Sequence, residues 1–312
     1  MASFLTAPLP VFHMKIAFLG LGRMGVPVVR RLLQSRHSVA VWNRTPKSLD
    51  SLGIAEARKE NSPAAAVADC EIVFTMLADD QATETVAFGA EGIVAALPRD
   101  AIHIALGTLS VALSRRLMEA HAKAAQRYVA APVFGRPNVA EQGRLWIVAA
   151  GENGAIEEVR PILLSLGRGL TVVGSQPWQA HAFKLGGNML ITAMVQSLSE
   201  AFVFASASNL DPELFLNTVN EALFQSPMYA NYGNLMLHPP AQAGATVALG
   251  AKDTRLLREA AASVQVRLGL ADYLQEQFDA ALRDNLGSAD WAVGQFRIAQ
   301  RQAKALAQGD DR

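Results

Sequence analysis

Short apolar runs alternate with amphipathic stretches over the first half of this 312-residue chain. Residues 15–19 and 38–42 are apolar runs of strand length, the first ending at Gly20. Residues 72–76, 102–105, 128–133, 145–150 and 170–173 repeat the pattern, while 26–33, 63–68 and 111–126 read as helices between them. Strands alternating with helices predict a mostly parallel, doubly wound α/β sheet. The rhythm stops at residues 174–177. Beyond it only helical patterns follow, broken at Asp211-Pro212, Pro239-Pro240 and Gly287. The expected organisation is an extension over residues 1–13, an α/β domain over 14–176, and an all-helical domain over 177–312 entered by a long interdomain helix.

That helix, residues 178–208, is apolar on most sides, so it must be covered all round. The residues that follow it are too few to do so, which predicts a homodimer or larger assembly formed through the C-terminal helices. Thr192, Gln196, Ser197, Ser199 and Glu200 argue against a membrane span. Composition narrows the class. Basic and acidic residues balance at 28 each, which gives no electrostatic case for nucleic acid or an anionic membrane. The single cysteine, Cys70, allows no internal disulfide and suits a reducing cytoplasm. Residues 1–13 lack the basic start and cleavage site of a signal peptide.

Gly20-Leu21-Gly22-Arg23-Met24-Gly25 fits G-x-G-x-x-G directly after a strand and at the start of a helix. In that context the glycines allow, in turn, the tight bend, close approach of backbone to a pyrophosphate, and helix-to-strand packing. The helix N-terminus then supplies N–H groups and a dipole for the anion. After the second strand, where an acidic residue would bond ribose hydroxyls, stand Asn43-Arg44-Thr45-Pro46-Lys47. A carboxylate would repel a 2′-phosphate, whereas Arg44, Thr45 and Lys47 offer charge-assisted bonds to it. The expected cofactor is NADP(H) in preference to NAD(H); an ordinary polar turn is the alternative.

The glycine motif with Met24 at its fifth place, followed by Asn43-Arg44-Thr45, resembles the β-hydroxyacid dehydrogenase family, from residue 14 to about 299. The resemblance implies a Rossmann domain followed by a helical domain like that of 6-phosphogluconate dehydrogenase. Gly107-Thr108-Leu109-Ser110 is similar to the family's turn beside the nicotinamide, and Ala131-Pro132-Val133-Phe134-Gly135 to its substrate motif. Lys184 with Asn188 resembles the catalytic K-x-x-x-N, and Lys252-Asp253 the C-terminal K-D pair. On this reading Gly20, Leu21, Gly22, Arg23, Met24, Gly25, Asn43, Arg44, Thr45, Leu77, Thr108 and Lys252 meet the cofactor. Ser110, Val133, Phe134, Gly135 and Arg136 join Lys184 and Asn188 around the substrate.

Lys184 and Asn188 are four residues apart, so on a helix they share a face. In reduction Lys184 would polarise a carbonyl and supply the proton, with Asn188 fixing the substrate oxygen. A solvated lysine at a helix start is the alternative. Gly186-Gly187 inside the same helix costs about 1 kcal/mol per residue relative to alanine, implying close approach of a ligand or tight helix packing. The family's Ser-Gly-Gly, which receives a substrate carboxylate, is replaced here by Phe134-Gly135-Arg136. His103 reads as core, and His181 as structural or cleft-lining. Met228, Tyr229 and Tyr232 fall in a loop-like stretch. No spacing suits a metal. The expected activity is NADP(H)-dependent transfer of hydride between the cofactor and a small aldehyde, keto acid or β-hydroxy acid. Imine reduction and a catalytically idle dinucleotide-binding sensor are the competing readings.

Overall fold

The computed structural model describes residues 13–307. The expected extension over residues 1–13 lies outside them, apart from His13, whose ring bonds the Arg36 carbonyl at 2.7 Å. In chain order the elements of the first half are β1 (Lys15–Leu19), α1 (Gly25–Gln34), β2 (Ser38–Trp42), β3 (Arg58–Lys59), α2 (Pro63–Val67), β4 (Ile72–Thr75), α3 (Asp80–Phe88) and α4 (Ile93–Ala96). They continue with β5 (Ile102–Ala105), α5 (Val111–Lys123), β6 (Arg127–Ala130), β7 (Val133–Phe134), α6 (Pro137–Glu141), β8 (Leu145–Gly151), α7 (Asn153–Leu166) and β9 (Gly167–Gly174). Then come α8 (Trp178–Ala207), α9 (Pro212–Val219), a π-helical turn (Asn220–Phe224), α10 (Pro227–Leu237), α11 (Val247–Ser263), α12 (Gly269–Arg283) and α13 (Trp291–Ala307).

The strands run in the order β3-β2-β1-β4-β5-β6, all parallel, after which β8 lies antiparallel to both β6 and β7 and parallel to β9. This is a Rossmann-type doubly wound sheet, mostly parallel, followed by an all-helical part. Ile16 and Phe18 point into one apolar layer with Val41, Phe74 and Ile104. Ala17 and Leu19, the alternate positions, point into the opposite layer with Val73, Ala105 and Leu117. Strands apolar on both faces are what a sheet covered by helices on both sides demands.

Register decides where the chemistry goes. Leu19 pairs with Trp42 and Thr75, Thr75 with Ala105, and Ala105 with Ala130. The carboxyl ends of β1, β2, β4, β5 and β6 therefore form one row, and the turns that follow them leave from one edge. In open α/β sheets, ligands bind at that edge, where strand order reverses between β1 and β4.

Two local expectations change, and one strand is unforeseen. The strand expected over 128–133 is interrupted at Ala131-Pro132, because proline has no N–H for the ladder; its carbonyl instead accepts the Val148 N–H at 3.0 Å. The loop-like stretch holding Met228, Tyr229 and Tyr232 is helix α10, capped by the Ser226 hydroxyl on the Met228 N–H. Tyr232 is buried against Trp291, and Tyr229 stacks on Phe224 with ring centroids 4.0 Å apart. The short β3 had no apolar signal to reveal it.

The chain divides into two compact units between Lys184 and Leu185, inside α8. The second unit packs Val195, Phe202, Phe278, Trp291 and Phe296 as its core. By length and composition α8 is the one helix among the described residues that would suffice to cross a bilayer. Its polar residues His181, Lys184, Asn188, Thr192, Gln196 and Ser199 are nonetheless buried within protein. The Thr192 hydroxyl donates to the Asn188 carbonyl and the Ser199 hydroxyl to the Val195 carbonyl, so these groups are satisfied by the helix itself. That pattern belongs to a core helix.

Candidate active site

The turn after β1 holds all three glycines in different states. Gly20 has φ +112°, and a Cβ there would meet the Met76 carbonyl oxygen at 2.3 Å. A Cβ on Gly25 would stand 1.9 Å from the Gly20 carbonyl oxygen, so α1 packs on the turn only with glycine there. Around Gly22 a Cβ would meet nothing within 4 Å. The first and third glycines are required by the fold; the second guards open space over the start of α1, where Met24 brings no capping side chain. An open cradle at the uncapped N-terminus of a ten-residue helix suits a pyrophosphate. The Leu21 side chain is buried, and Met24 is partly buried against the core, so only their backbone would be left for a ligand.

After β2 the chain builds a pocket of about 200 Å³ lined by Trp42, Asn43, Arg44, Lys47, Lys59 and Glu60, among others. Asn43 faces inward. Its Oδ1 accepts the Leu21 N–H at 2.8 Å and its Nδ2 donates to the Thr45 carbonyl at 2.7 Å. Lys47 donates to the Leu21 carbonyl at 2.7 Å. Both residues brace the glycine turn, leaving Arg44 exposed in the pocket lining and Thr45 exposed next to it in the chain.

Leu77 follows β4 and touches both neighbouring turns. A Cβ on Gly20 would lie 3.2 Å from its Cδ2, and one on Gly107 would lie 3.1 Å from its carbonyl oxygen. Thr108 stands half-buried in the turn after β5. Ser110 closes that turn as the N-cap of α5: its hydroxyl accepts the Leu113 N–H at 2.9 Å, while its own N–H donates to Asp80 at 3.0 Å. His181 is fully buried, and its Nδ1 accepts the Leu109 N–H at 3.4 Å. The start of α8 is thus tied to the Gly107–Ser110 turn. His181 is structural rather than cleft-lining.

Lys184 lies one turn further along α8. Its side chain is nearly buried, at 9% exposure, and its Nζ stands 4.0 Å from the centre of the Phe134 ring. Such a contact is worth about 2 kcal/mol when desolvated. Gly135, at φ +142°, follows the ring; a Cβ there would strike Leu145 at 2.6 Å. Val133 faces the core, so only its backbone is left for a ligand. Arg136 is half-buried at the N-cap of α6.

In the helical unit, Asn188 Nδ2 donates to Asp253 Oδ2 at 2.6 Å, and Lys252 pairs with the other oxygen of Asp253 at 3.0 Å. Asp253 is 4% exposed and holds both residues together. In the sequence it stands out only as half of a dipeptide, since adjacency alone does not reveal a partner 65 residues away. Gly186 has nothing within 4 Å of a Cβ, so tight packing does not explain it. Among the described residues no group of three or more His, Cys, Asp or Glu could hold a metal.

A Rossmann sheet with an open glycine cradle, joined through a lysine-bearing helix to an all-α unit, defines a two-domain dinucleotide-dependent oxidoreductase. The model of the NAD binding domain of 6-phosphogluconate dehydrogenase matches residues 15–174, and that of the NAD-binding of NADP-dependent 3-hydroxyisobutyrate dehydrogenase matches residues 179–293. Uncharacterized oxidoreductase YfjR of Bacillus subtilis is 39% identical over 90% of this chain and 98% of its own length. Glyoxylate/succinic semialdehyde reductase 1 of Arabidopsis thaliana is 30% identical over 90% of this chain and 96% of its own. The crystal structure of 3-hydroxyisobutyrate dehydrogenase from Salmonella typhimurium shares the fold, with a TM-score of 0.82 at 19% identity over 91% of this chain and 99% of that one. The chain belongs to the β-hydroxyacid dehydrogenase family and is a nicotinamide-dinucleotide-dependent oxidoreductase.

Proposed function

We propose that the chain is an NADP(H)-dependent reductase of small carbonyl compounds, running in reverse as a dehydrogenase of the corresponding hydroxy compounds, β-hydroxy acids among them, with Lys184 as general acid and base. The observation that carries the reading is the nearly buried ammonium of Lys184 beside Phe134, on a helix tied by His181 to the Gly107–Ser110 turn. Lysine is almost never fully buried unless paired, so its burial here is held by specific contacts.

When bound, the reduced nicotinamide supplies the hydride. The Gly20–Gly25 turn and the start of α1 would bind the pyrophosphate, with Arg23 exposed beside them. Arg44 and Thr45 would take the 2′-phosphate, with Leu77 and Thr108 against the nicotinamide half. Lys184 would donate to the carbonyl oxygen and polarise the bond. As the carbonyl carbon gains the hydride, an Nζ–H bond of Lys184 breaks and an O–H bond forms on the former carbonyl oxygen. The neutral amine then takes a proton back from solvent, and oxidation reverses each step. Asn188 is assigned to orienting the substrate oxygen, its amide aimed by Asp253. Lys252 is assigned to the cofactor on the strength of its motif. Ser110, Val133, Phe134, Gly135 and Arg136 are assigned to the substrate. The reductase name of the Arabidopsis relative supports a carbonyl substrate.

A cytoplasmic setting is part of the proposal. Cys70 is buried, and burial pushes its thiol up to about 12, which suits an inert side chain with no partner to oxidise to. The test of function is NADPH consumption against a panel of small aldehydes, keto acids and a cyclic imine. Turnover of an aldehyde or keto acid supports the reading. Cofactor binding with no turnover on any of them would make the chain a dinucleotide sensor, and turnover of the imine alone would make it an imine reductase.

A further inference from the structure

We infer that Phe134 is the positioning residue for Lys184 and selects a neutral carbonyl substrate with an apolar substituent over a carboxylate-bearing one. The inference rests on the reading of Lys184 as general acid. Its grounds are geometric. The ring is set by pairing of β7 with β8, where Phe134 lies opposite Trp146, and by Gly135, whose φ of +142° no other residue adopts without strain. Its backbone is held on both sides and its ring packs against the second apolar layer of the sheet, so the ring forms a wall. On that wall the Lys184 ammonium rests, 4.0 Å from the ring centre.

An aromatic face is an unusual partner for an acid catalyst, and its chemistry explains the choice. The negative face of the ring attracts a cation but has no lone pair to take its proton. A carboxylate in the same place would hold the proton in an ion pair and compete with the substrate oxygen. Phe134 therefore orients Lys184 and favours its charged form without itself accepting the proton. The same ring constrains the substrate. The group beside the reacting carbonyl meets carbon rather than a hydrogen-bond donor. A carboxylate placed there would lose its hydration without replacement and face the negative side of the ring. If it captured the Lys184 ammonium instead, the acid would be withdrawn from the carbonyl. The counterweight is Arg136, two residues away, whose charge would favour a carboxylate.

The test compares butanal with its counterpart carrying a terminal carboxylate, 4-oxobutanoate, on the full-length enzyme with NADPH. The wild type is expected to favour butanal in kcat/KM by at least about tenfold. Phe134→Leu keeps apolar bulk but removes the π face. Its kcat should fall more than its KM rises, and the alkaline limb of its pH–rate profile should move down, because the charged lysine loses its contact with the ring. Phe134→Tyr restores a ring and should restore the limb. Phe134→Ser should narrow or reverse the preference between the two aldehydes. A readout independent of turnover is the proton resonance of the Lys184 ε-methylene group, identified by its loss in Lys184→Ala. The ring should shift it upfield in the wild type and in Phe134→Tyr, but not in Phe134→Leu. A wild-type preference for the carboxylate, an unmoved limb, or an unshifted resonance overturns the inference. Full turnover in Lys184→Ala instead overturns the general-acid reading, whatever Phe134 does.

Discussion

Single residues at this site divide into those that hold the protein together and those left to meet a ligand. Arg44 is exposed at the rim of the pocket after β2, while its neighbours Asn43 and Lys47 are spent on Leu21. Arg44→Ala should therefore abolish most of a tenfold or greater preference for NADPH over NADH, about 1.4 kcal/mol, as read by calorimetric titration of both cofactors. Equal affinities in the wild type would refute the assignment. A second residue-scale consequence lies inside the sheet. Gln126 donates to the Val94 and Leu97 carbonyls, so its oxygen accepts from His121 Nδ1. His121 Nε2 then accepts from His103 Nδ1, and His103 Nε2 from the Thr75 hydroxyl. Both imidazoles are thus held neutral. Burial lowers the His121 pKa from 6.5 to about 4 and holds His103 well below its usual value. The unfolded chain binds these protons first, so stability is intact above pH 6.5 and falls as pH drops from there towards 4. For His121 alone the loss is on the order of 3 kcal/mol. His121→Gln, which keeps an acceptor for His103 and a donor for Gln126, should flatten that decline in urea unfolding between pH 7 and pH 4. An identical decline in the variant would refute this role for His121.

At the scale of elements, the glycine turn makes the sharpest demand. Gly22→Ala meets no protein atom within 4 Å and should leave the melting temperature unchanged while weakening NADPH binding at least about tenfold. Gly25→Ala drives a methyl against the Gly20 carbonyl at 1.9 Å and should lower the melting temperature itself. Thermal unfolding with and without NADPH separates the two; equal effects of both variants on the apo protein would contradict the division of roles between the glycines. Elements were legible where a local pattern carries them. The apolar runs of β1, β2, β4 and β5 each fill buried strands, and the glycines announce the turn. Where a tertiary partner decides, the pattern was silent. The β3 pairing consists of two exposed residues, Arg58 and Lys59. Helix α10 begins with Ser-Pro and carries two tyrosines whose burial depends on Phe224 and Trp291. The same limit applies to the site. Lys184 and Asn188 are singled out by their resemblance to the family's K-x-x-x-N motif, whereas the ring against Lys184 comes from 50 residues away, and Asp253 reaches Asn188 across 65.

For the whole molecule, the helical unit leaves Leu190, Phe204, Leu214 and Leu223 between 66% and 72% exposed. That much exposed apolar surface on one unit is the reason to expect a second copy over it. Light scattering should give a mass above the 33.4 kDa of one chain, and Phe204→Glu should lower it; a monomer across micromolar concentrations would contradict the expectation. On the proposed reading, cofactor binding on the turns of the Rossmann sheet and proton transfer on Lys184 are separable functions of one chain. The most direct test is to measure turnover and NADPH affinity together for Lys184→Ala, on the best carbonyl substrate found. The expected result is a fall in kcat of about 10²–10⁴-fold, the usual share of a general acid, with the NADPH dissociation constant changed by less than about threefold. Full turnover in the variant would contradict the assignment of Lys184.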